Sequence, residues 1–186
     1  YSVPWPPQGI YFKKDVASTD DMAGVKVRSY NNSTGRISEL SGMVPVQLEA
    51  SEITQGLITG VIESLITSAV TGQDSKAWEQ LTHFYKVNAW QPRNFVLVNK
   101  DAWDGLDDAT RKVFTDCAAS AETNGVKMSK EANDKALATL AGKGMKVLDP
   151  SDKLASQLRA IGEKMVNDWK SKAGAAGQAV LEAYAK

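Results

Sequence analysis

The segment from Asp20 to Tyr30 (DDMAGVKVRSY) constrains the fold of this chain more than any other stretch. Ser18 and Asp21 have the spacing of a capping box, in which a hydroxyl is followed three residues later by a carboxylate. Gly24 suits the left-handed conformation that closes a helical turn. The residues after Gly24 alternate between apolar and basic side chains, and this alternation predicts a strand over residues 25–30.

Arg28 is expected at the carboxyl end of this strand. Val25 and Val27 would share one face of the strand, and Lys26 and Arg28 the other. Open α/β sheets bind ligands beyond the carboxyl ends of their strands, and a guanidinium is a planar fork that matches a carboxylate or a phosphate. The alternative is that Arg28 is a solvated strand-end residue or a structural ion-pair partner.

The rest of the chain alternates in the same way. Further strands are expected over residues 44–48, 61–66, 94–98 and 145–148, and helices over residues 33–41, 52–59, 75–84, 106–141 and from Asp149 onward. Short strands that alternate with helices favour an α/β fold with a largely parallel sheet. Tyr1 to Gly9 (YSVPWPPQG) is rich in proline and indicates an extended entry segment.

Composition excludes several classes of function. Lys plus Arg and Asp plus Glu are both 22, so the formal net charge is zero and no basic nucleic-acid surface is expected. Apolar runs fall short of the roughly 20 residues of a membrane span. Cys117 is the single cysteine, which rules out an intrachain disulfide, and its alanine-rich helical context favours a buried position.

The sequence contains few residues or motifs that could support catalysis. His83 is the single histidine, and it falls in the helix expected over residues 75–84, where packing or capping is the favoured role. A hydrolase or transferase would need His83 to line a cleft beside a nucleophile. Phosphate-cradling glycine loops, dinucleotide fingerprints and clustered metal ligands are not found, so we expect neither catalytic residues nor a cofactor nor a metal.

Four motifs in order, WPPQG, DDMAGVKVRSY, GMVPVQLEASEITQGLITGVIES and NAWQPRNFVLVNKDAW, resemble one family closely. The chain is similar to the dicarboxylate-binding group of substrate-binding proteins from tripartite ATP-independent periplasmic (TRAP) transporters. The matching positions in the second and third motifs are Asp21, Met22, Gly24, Val25, Lys26, Arg28, Gly42, Pro45, Ser51, Glu52, Leu57 and Gly60. Gly56, Glu63 and Ser64 depart from the family pattern.

The resemblance implies a fold of two α/β lobes, of the type II solute-binding kind, joined by crossing strands and a long helix. Residues 1–91 would form an α/β segment of the second lobe, and residues 133–186 would return to that lobe. Residues 92–132 would provide a crossing strand and the long helix that supports the first lobe. The protein would be periplasmic, with its signal peptide removed, and would deliver a small-molecule carboxylate to TRAP membrane permease subunits.

The resemblance also assigns site residues. Arg28 becomes the carboxylate anchor, with Thr67 and Ser68 after the next core strand and Asn94 on the strand that crosses between lobes. Trp5 and Trp90 would wall the cleft. The alternative for Thr67 and Ser68 is hydrogen bonding to backbone groups at the strand end. The alternative for Trp5, Trp90 and Asn94 is packing in the core.

Family members carry a whole segment ahead of the position of Trp5, and this segment forms most of one lobe. Without it, apolar residues such as Phe95, Leu97, Val113 and Phe114 should be exposed. We therefore expect either a missing N-terminal segment or self-association of the chain. The other functional classes that remain open are an enzyme using His83 and a structural or interaction module that binds no ligand.

Overall fold

A computed structural model describes residues 1–88 and 91–184, and within these ranges the chain forms eight strands and six α-helices. The strands are β1 (Ser2–Pro4), β2 (Gln8–Phe12), β3 (Lys26–Ser29), β4 (Val44–Gln47), β5 (Ser64–Ser68), β6 (His83–Tyr85), β7 (Arg93–Phe95) and β8 (Lys146–Leu148). The helices are α1 (Asn32–Leu40), α2 (Ile53–Thr59), α3 (Ala69–Asp74), α4 (Lys100–Asp104), α5 (Asp108–Gly142) and α6 (Asp152–Tyr184), the last of which is kinked at the non-helical residue Gly174.

Six of the strands form one mixed sheet in the order β4-β3-β5-β2-β6-β8. Strand β3 is parallel to both β4 and β5, and β6 is parallel to β8. Strand β2 lies antiparallel between β5 and β6. The α/β fold is confirmed, whereas the antiparallel central strand was not expected. All five residues of β2 are buried, so the period-two pattern that reveals a half-exposed strand is missing.

Both faces of this sheet are covered by helices. One core cluster joins Tyr11 and Leu65 of the sheet to Ile53 of α2, Ala69 of α3 and Leu140 of α5. A second cluster, on the other face, contains Ile10 of β2, Val27 of β3, Ile37 of α1 and Leu154 of α6. Val27 thus faces away from Arg28, as the alternation of the strand predicted. A sheet buried on both faces holds its strand ends in fixed positions.

The local signals around β3 are confirmed. A short 3-10 turn covers Thr19–Met22, and the backbone nitrogen of Ser18 donates to the Asp21 carboxylate over 3.0 Å. Gly24 has φ +75°, the left-handed conformation that a glycine adopts without strain. These contacts start β3 at Lys26 and so determine where Arg28 lies.

Two local predictions are wrong. The helix expected over residues 75–84 is a 3-10 turn at Ala77–Glu79 followed by strand β6, so His83 lies on a strand. The helix expected from Asp149 begins at Asp152, where the hydroxyl of Ser151 accepts a hydrogen bond from the backbone of Leu154 over 3.1 Å. Short apolar runs carry too little periodicity to separate helix from strand.

The long helix α5 joins the main core only through its carboxyl-terminal part. Its buried residues are Ala136 and Leu140, both near its carboxyl end. The helix passes through Asn124 and Gly125 without interruption, and at Gly125 a Cβ atom would overlap the side chain of Val3 on β1. Strand β1 pairs with β7 as a separate antiparallel ribbon. Cys117 is exposed on α5, contrary to the expectation of a buried thiol.

Candidate ligand-binding site at the strand ends

Arg28 lies on β3, with β4 on one side and β5 on the other. Its register partners are Val46 and Leu65. The Nε of Arg28 donates to the carbonyl oxygen of Leu48 over 2.9 Å, and its Cζ lies 4.8 Å from the centre of the Tyr30 ring. The residue is 5% exposed. The backbone and one aromatic ring therefore hold the guanidinium in place.

The two terminal nitrogens of this guanidinium are unused. Within residues 1–88 and 91–184, Arg28 takes part in no ion pair, and its only hydrogen bond is the one from Nε. Neither Nη belongs to the enclosed polar side-chain atoms that lack a hydrogen bond among the same residues. The fork thus retains contact with solvent and can accept an anion.

Burial lowers the pKa of Arg28, and the interactions with Tyr30 and Glu49 act in the opposite direction. A guanidinium titrates so far above neutrality that it stays charged here. A charge that is mostly withdrawn from water without a counter-ion is unfavourable. An anionic ligand would supply the missing partner.

Tyr30 and Gln8 complete the surroundings of Arg28, and sequence reasoning missed both. The Tyr30 hydroxyl donates to Oε1 of Gln8 over 3.0 Å, and Nε2 of Gln8 donates to the carbonyl oxygen of Pro6 over 2.9 Å. Gln8 is 1% exposed. Tyr30 follows Arg28 by two residues and shares its strand face, and this alternation was the signal that could have indicated it.

Thr67 and Ser68 end strand β5, and the structure separates their roles. Thr67 is buried, yet its hydroxyl has no hydrogen bond among the described residues and is not one of the enclosed unpartnered atoms. The Ser68 hydroxyl, by contrast, accepts from the backbone nitrogen of Thr71 over 3.1 Å and caps α3. Thr67 therefore has a free polar group, whereas the hydroxyl of Ser68 is already used within the fold.

The remaining candidates are dispersed. Trp5 is partly exposed, and its indole nitrogen donates to the Ser68 hydroxyl over 3.2 Å. Asn94 is exposed on β7 and pairs with Val3. No hydrogen bond joins Asn94 to Arg28 among the described residues. Trp90 lies outside those residues, so its predicted place in the cleft wall stays a prediction.

His83 is buried on β6, and Nε2 lies 3.0 Å from the Asp15 carboxylate. Its Nδ1 lies 2.7 Å from the hydroxyl of Thr82. A hydroxyl, an imidazole and a carboxylate are thus neighbours, but these three residues line neither of the two cavities described next.

Two cavities of about 800 Å³ lie elsewhere. One lies between β2, α1 and α6, where its lining includes Ile10, Ile37 and Arg159. The other, here called the apolar groove, is lined by Tyr1, residues 96–98, Trp103, Leu106, Phe114 and Ala118 among others. Leu97 is 84% exposed and Phe114 is 56% exposed. Phe95 and Val113 are exposed as well. The exposed apolar surface expected on this part of the chain is therefore present.

In the described part of the chain, no three His, Cys, Asp or Glu side chains lie close enough to hold a metal ion. The same residues include no helix with the length and apolar character that a bilayer span requires. Within residues 1–88 and 91–184, the helix-covered α/β sheet therefore carries one buried guanidinium, that of Arg28, without an ion-pair partner near its strand ends.

Comparison with known proteins identifies the family. The family model for bacterial extracellular solute-binding protein, family 7, matches residues 9–172. The chain belongs to this family. The resemblance to TRAP substrate-binding proteins is thereby confirmed, as are the fold class and a location outside the cytoplasm for the family. Family 7 proteins and the relatives described below are solute receptors rather than enzymes.

Two solved structures are similar over almost the whole chain. The Bordetella pertussis extracytoplasmic solute receptor DctP7, which binds pyroglutamic acid, is 42% identical with a TM-score of 0.95, and the match covers 100% of this chain and 62% of that one. A marine metagenome TRAP solute-binding protein specific for pyroglutamate is 45% identical with a TM-score of 0.93, covering 99% and 60%.

A curated relative from Nostoc sp. (strain PCC 7120) is a monocarboxylate 2-oxoacid-binding periplasmic protein. It is 26% identical over 156 residues, which are 82% of this chain and 43% of the relative. The chain thus spans less than two thirds of the length of each of these three proteins.

Proposed function

We propose that the protein containing this chain binds a small organic acid and that the carboxylate of the ligand pairs with the two terminal nitrogens of Arg28. The observation that carries the proposal is the unpaired guanidinium fork, 5% exposed and yet without an anionic partner among the described residues. Arginine and carboxylate form paired, charge-assisted hydrogen bonds. Since most of Arg28 is withdrawn from water, such a pair would be stronger than one at the surface.

We infer that pyroglutamate is the first ligand to test. Two relatives more than 40% identical to this chain bind it, and each aligns along at least 99% of the chain. Besides its carboxylate, pyroglutamate carries a lactam with one N–H donor and one carbonyl acceptor. The free hydroxyl of Thr67 can either accept or donate, so it suits such a group. The Nostoc relative makes a 2-oxo monocarboxylate the second probe.

Residues outside this chain would complete the site. We propose that residues 1–91 and 133–186 belong to one lobe and that residues 92–132 support the other. The support for this division is the course of α5, whose buried residues lie only near its carboxyl end. We propose that the rest of the longer protein covers the apolar groove; a second copy of the chain is the alternative occupant. The ligand would then lie between the two lobes.

Delivery of the bound acid to TRAP membrane permease subunits is part of the same proposal, and membership in family 7 supports it. The test is uptake of radiolabelled ligand into proteoliposomes that contain the permease subunits. We expect uptake only when the binding protein is present, and an Arg28→Ala protein should not restore it. Uptake that is independent of the binding protein would contradict the delivery step.

Isothermal titration of the full-length protein with pyroglutamate tests the binding step. We expect Arg28→Ala to weaken binding about 100-fold, because a charge-assisted pair to a withdrawn cation is worth about 2–5 kcal/mol. The matched control is Arg36→Ala, since Arg36 lies on the surface of α1 in ion pairs with Glu39 and Asp168. Equal affinities of the wild type and Arg28→Ala would exclude Arg28 as the anchor. Failure of the wild type to bind any carboxylate would favour a structural or interaction module.

A further inference from the structure

We propose that Tyr30, held in place by Gln8, is a positioning residue that sets the plane of the Arg28 guanidinium and so the direction from which a carboxylate can bind. This inference rests on the proposed function, because it concerns the same site. It adds two residues to which neither the sequence motifs nor the comparisons assign a role.

The first support is the contact between the ring and the guanidinium. The Cζ of Arg28 lies 4.8 Å from the centre of the Tyr30 ring, within the range of a cation–π contact. Such a contact is stronger where water is excluded, and Arg28 is almost completely buried. The ring covers the guanidinium where water would otherwise lie and limits its rotation.

The second support is that the ring itself is held at its far end. The Tyr30 hydroxyl donates to Gln8 Oε1, and the other end of the Gln8 amide donates to the carbonyl oxygen of Pro6. The contact with Pro6 requires Nε2, so it determines the orientation of the amide and leaves Oε1 to accept from Tyr30. Tyr30 and Gln8 lie 22 positions apart, and Gln8 is fully buried on the central strand β2. The sheet therefore holds both ends of this connection.

The third support concerns the two Arg28 nitrogens, Nη1 and Nη2, that are not bonded within the fold. The Nε of Arg28 is already bonded to Leu48, so a ligand cannot use the side of the fork formed by Nε and one Nη. Only the end formed by Nη1 and Nη2 can receive two oxygens in the guanidinium plane. A carboxylate matches this pair of donors, whereas a primary amide offers one acceptor and places its own N–H₂ group against a cation. A correctly oriented fork should therefore separate an acid from its amide.

The experiment is a double-mutant cycle between Tyr30 and Arg28 in the full-length protein, with pyroglutamate and its primary amide as probes. Tyr30→Leu should weaken pyroglutamate binding about tenfold, in line with the loss of a buried cation–π contact. It should also reduce the ratio of the affinity for pyroglutamate to the affinity for its primary amide. Tyr30→Phe keeps the ring but loses the hydrogen bond to Gln8, so it should cause an intermediate, few-fold loss of affinity. In an Arg28→Ala background, Tyr30→Leu should change the affinity less than about twofold, since the group that it positions is gone.

Gln8→Leu is the second variant, because it leaves the ring and removes its anchor. We expect a few-fold loss of affinity and a broader ¹⁵Nε–¹H signal from Arg28, as the guanidinium would sample more orientations. Wild-type affinity for the acid in Tyr30→Leu would overturn the inference, and so would an equal loss with and without Arg28. Absence of pyroglutamate and 2-oxo acid binding by the wild type would overturn the proposed function as well, so the two failures are distinguishable.

Discussion

The indole nitrogen of Trp5 donates a hydrogen bond to the hydroxyl of Ser68 over 3.2 Å, across 63 positions of sequence. The same hydroxyl caps α3 through the backbone nitrogen of Thr71, and the Ser68 carbonyl oxygen accepts from the Tyr11 hydroxyl over 2.9 Å. Ser68 thus joins the entry segment, the central strand and a helix. Its neighbour Thr67 has no such hydrogen bond, and this contrast allows the two residues to be tested against each other.

Ser68→Ala should lower the free energy of unfolding by about 1 kcal/mol, the usual cost of a lost helix cap, and leave pyroglutamate affinity nearly unchanged. Thr67→Val should leave the free energy of unfolding nearly unchanged and weaken pyroglutamate binding, because it keeps the shape of the side chain and removes only the free hydroxyl. We expect about a tenfold loss of affinity from that change. Chemical denaturation and calorimetric titration of both variants provide the test, and a stability loss confined to Thr67→Val would contradict it.

Gly24→Ala should destabilise the protein by about 1–2 kcal/mol, the cost of a left-handed conformation in a residue with a Cβ atom. The cause would be the backbone alone, because an added Cβ at Gly24 meets no atom within 4 Å. Gly35→Ala is the matched control, since Gly35 lies inside α1 and is equally free of neighbours. That control should stabilise the helix by about 0.5–1 kcal/mol. Urea unfolding compares the two, and changes of the same sign would be inconsistent with this explanation.

Asp21 should make stability depend on pH in the acid range. Its carboxylate accepts hydrogen bonds from the backbone nitrogens of Ala17 and Ser18, and these bonds lower its pKa. A lowered pKa contributes stability that is complete above the unfolded value of about 3.9 and is lost as the pH falls through the folded value. Asp21→Asn should therefore be less stable than the wild type at pH 7, and the difference should narrow below about pH 4.

Denaturant unfolding at pH 7 and pH 3 measures this difference for Asp21→Asn. Asp74→Asn, at the end of α3, is the control for the loss of one negative charge, because Asp74 has no hydrogen bond or ion pair among the described residues. A difference for Asp21→Asn that stays constant from pH 7 to pH 3 would show that its capping hydrogen bonds are not linked to protonation.

The apolar groove should be covered in the full-length protein. We expect the double variant Leu97→Gln, Phe114→Gln to lower the free energy of unfolding of the whole protein, since it places polar amides against apolar partners. Val180→Gln, at another exposed apolar side chain, should have little effect. If the 186-residue chain is prepared alone, sedimentation velocity should show self-association that the double variant reduces. A monomeric wild-type chain at all concentrations would argue against a second copy as the occupant.

Local sequence signals were sufficient to predict the part of the site that depends on residues close together in the chain. The capping box at Ser18 and the glycine at position 24 predicted where β3 begins. The alternation of side chains along β3 predicted that Arg28 and Val27 lie on opposite faces of the sheet. The same local rules failed at β6, where three consecutive buried residues show no period, and at α6, where Ser151 rather than Asp149 is the cap. The predictions were therefore correct where the local signal was strong, as at β3, and wrong where it was weak, as at β6 and the start of α6.

The partners of the site residues were decided by the tertiary structure. The sequence alone determined the α/β class and the strand that carries Arg28, and its resemblance to the TRAP family indicated the exposure of the residues around Leu97 and Phe114. Only the folded sheet, with β2 inserted antiparallel at its centre, brings Gln8 to the hydroxyl of Tyr30 and Trp5 to that of Ser68. The reason is physical: caps and alternation act over a few residues, whereas pairing between distant strands depends on the free energy of the whole core.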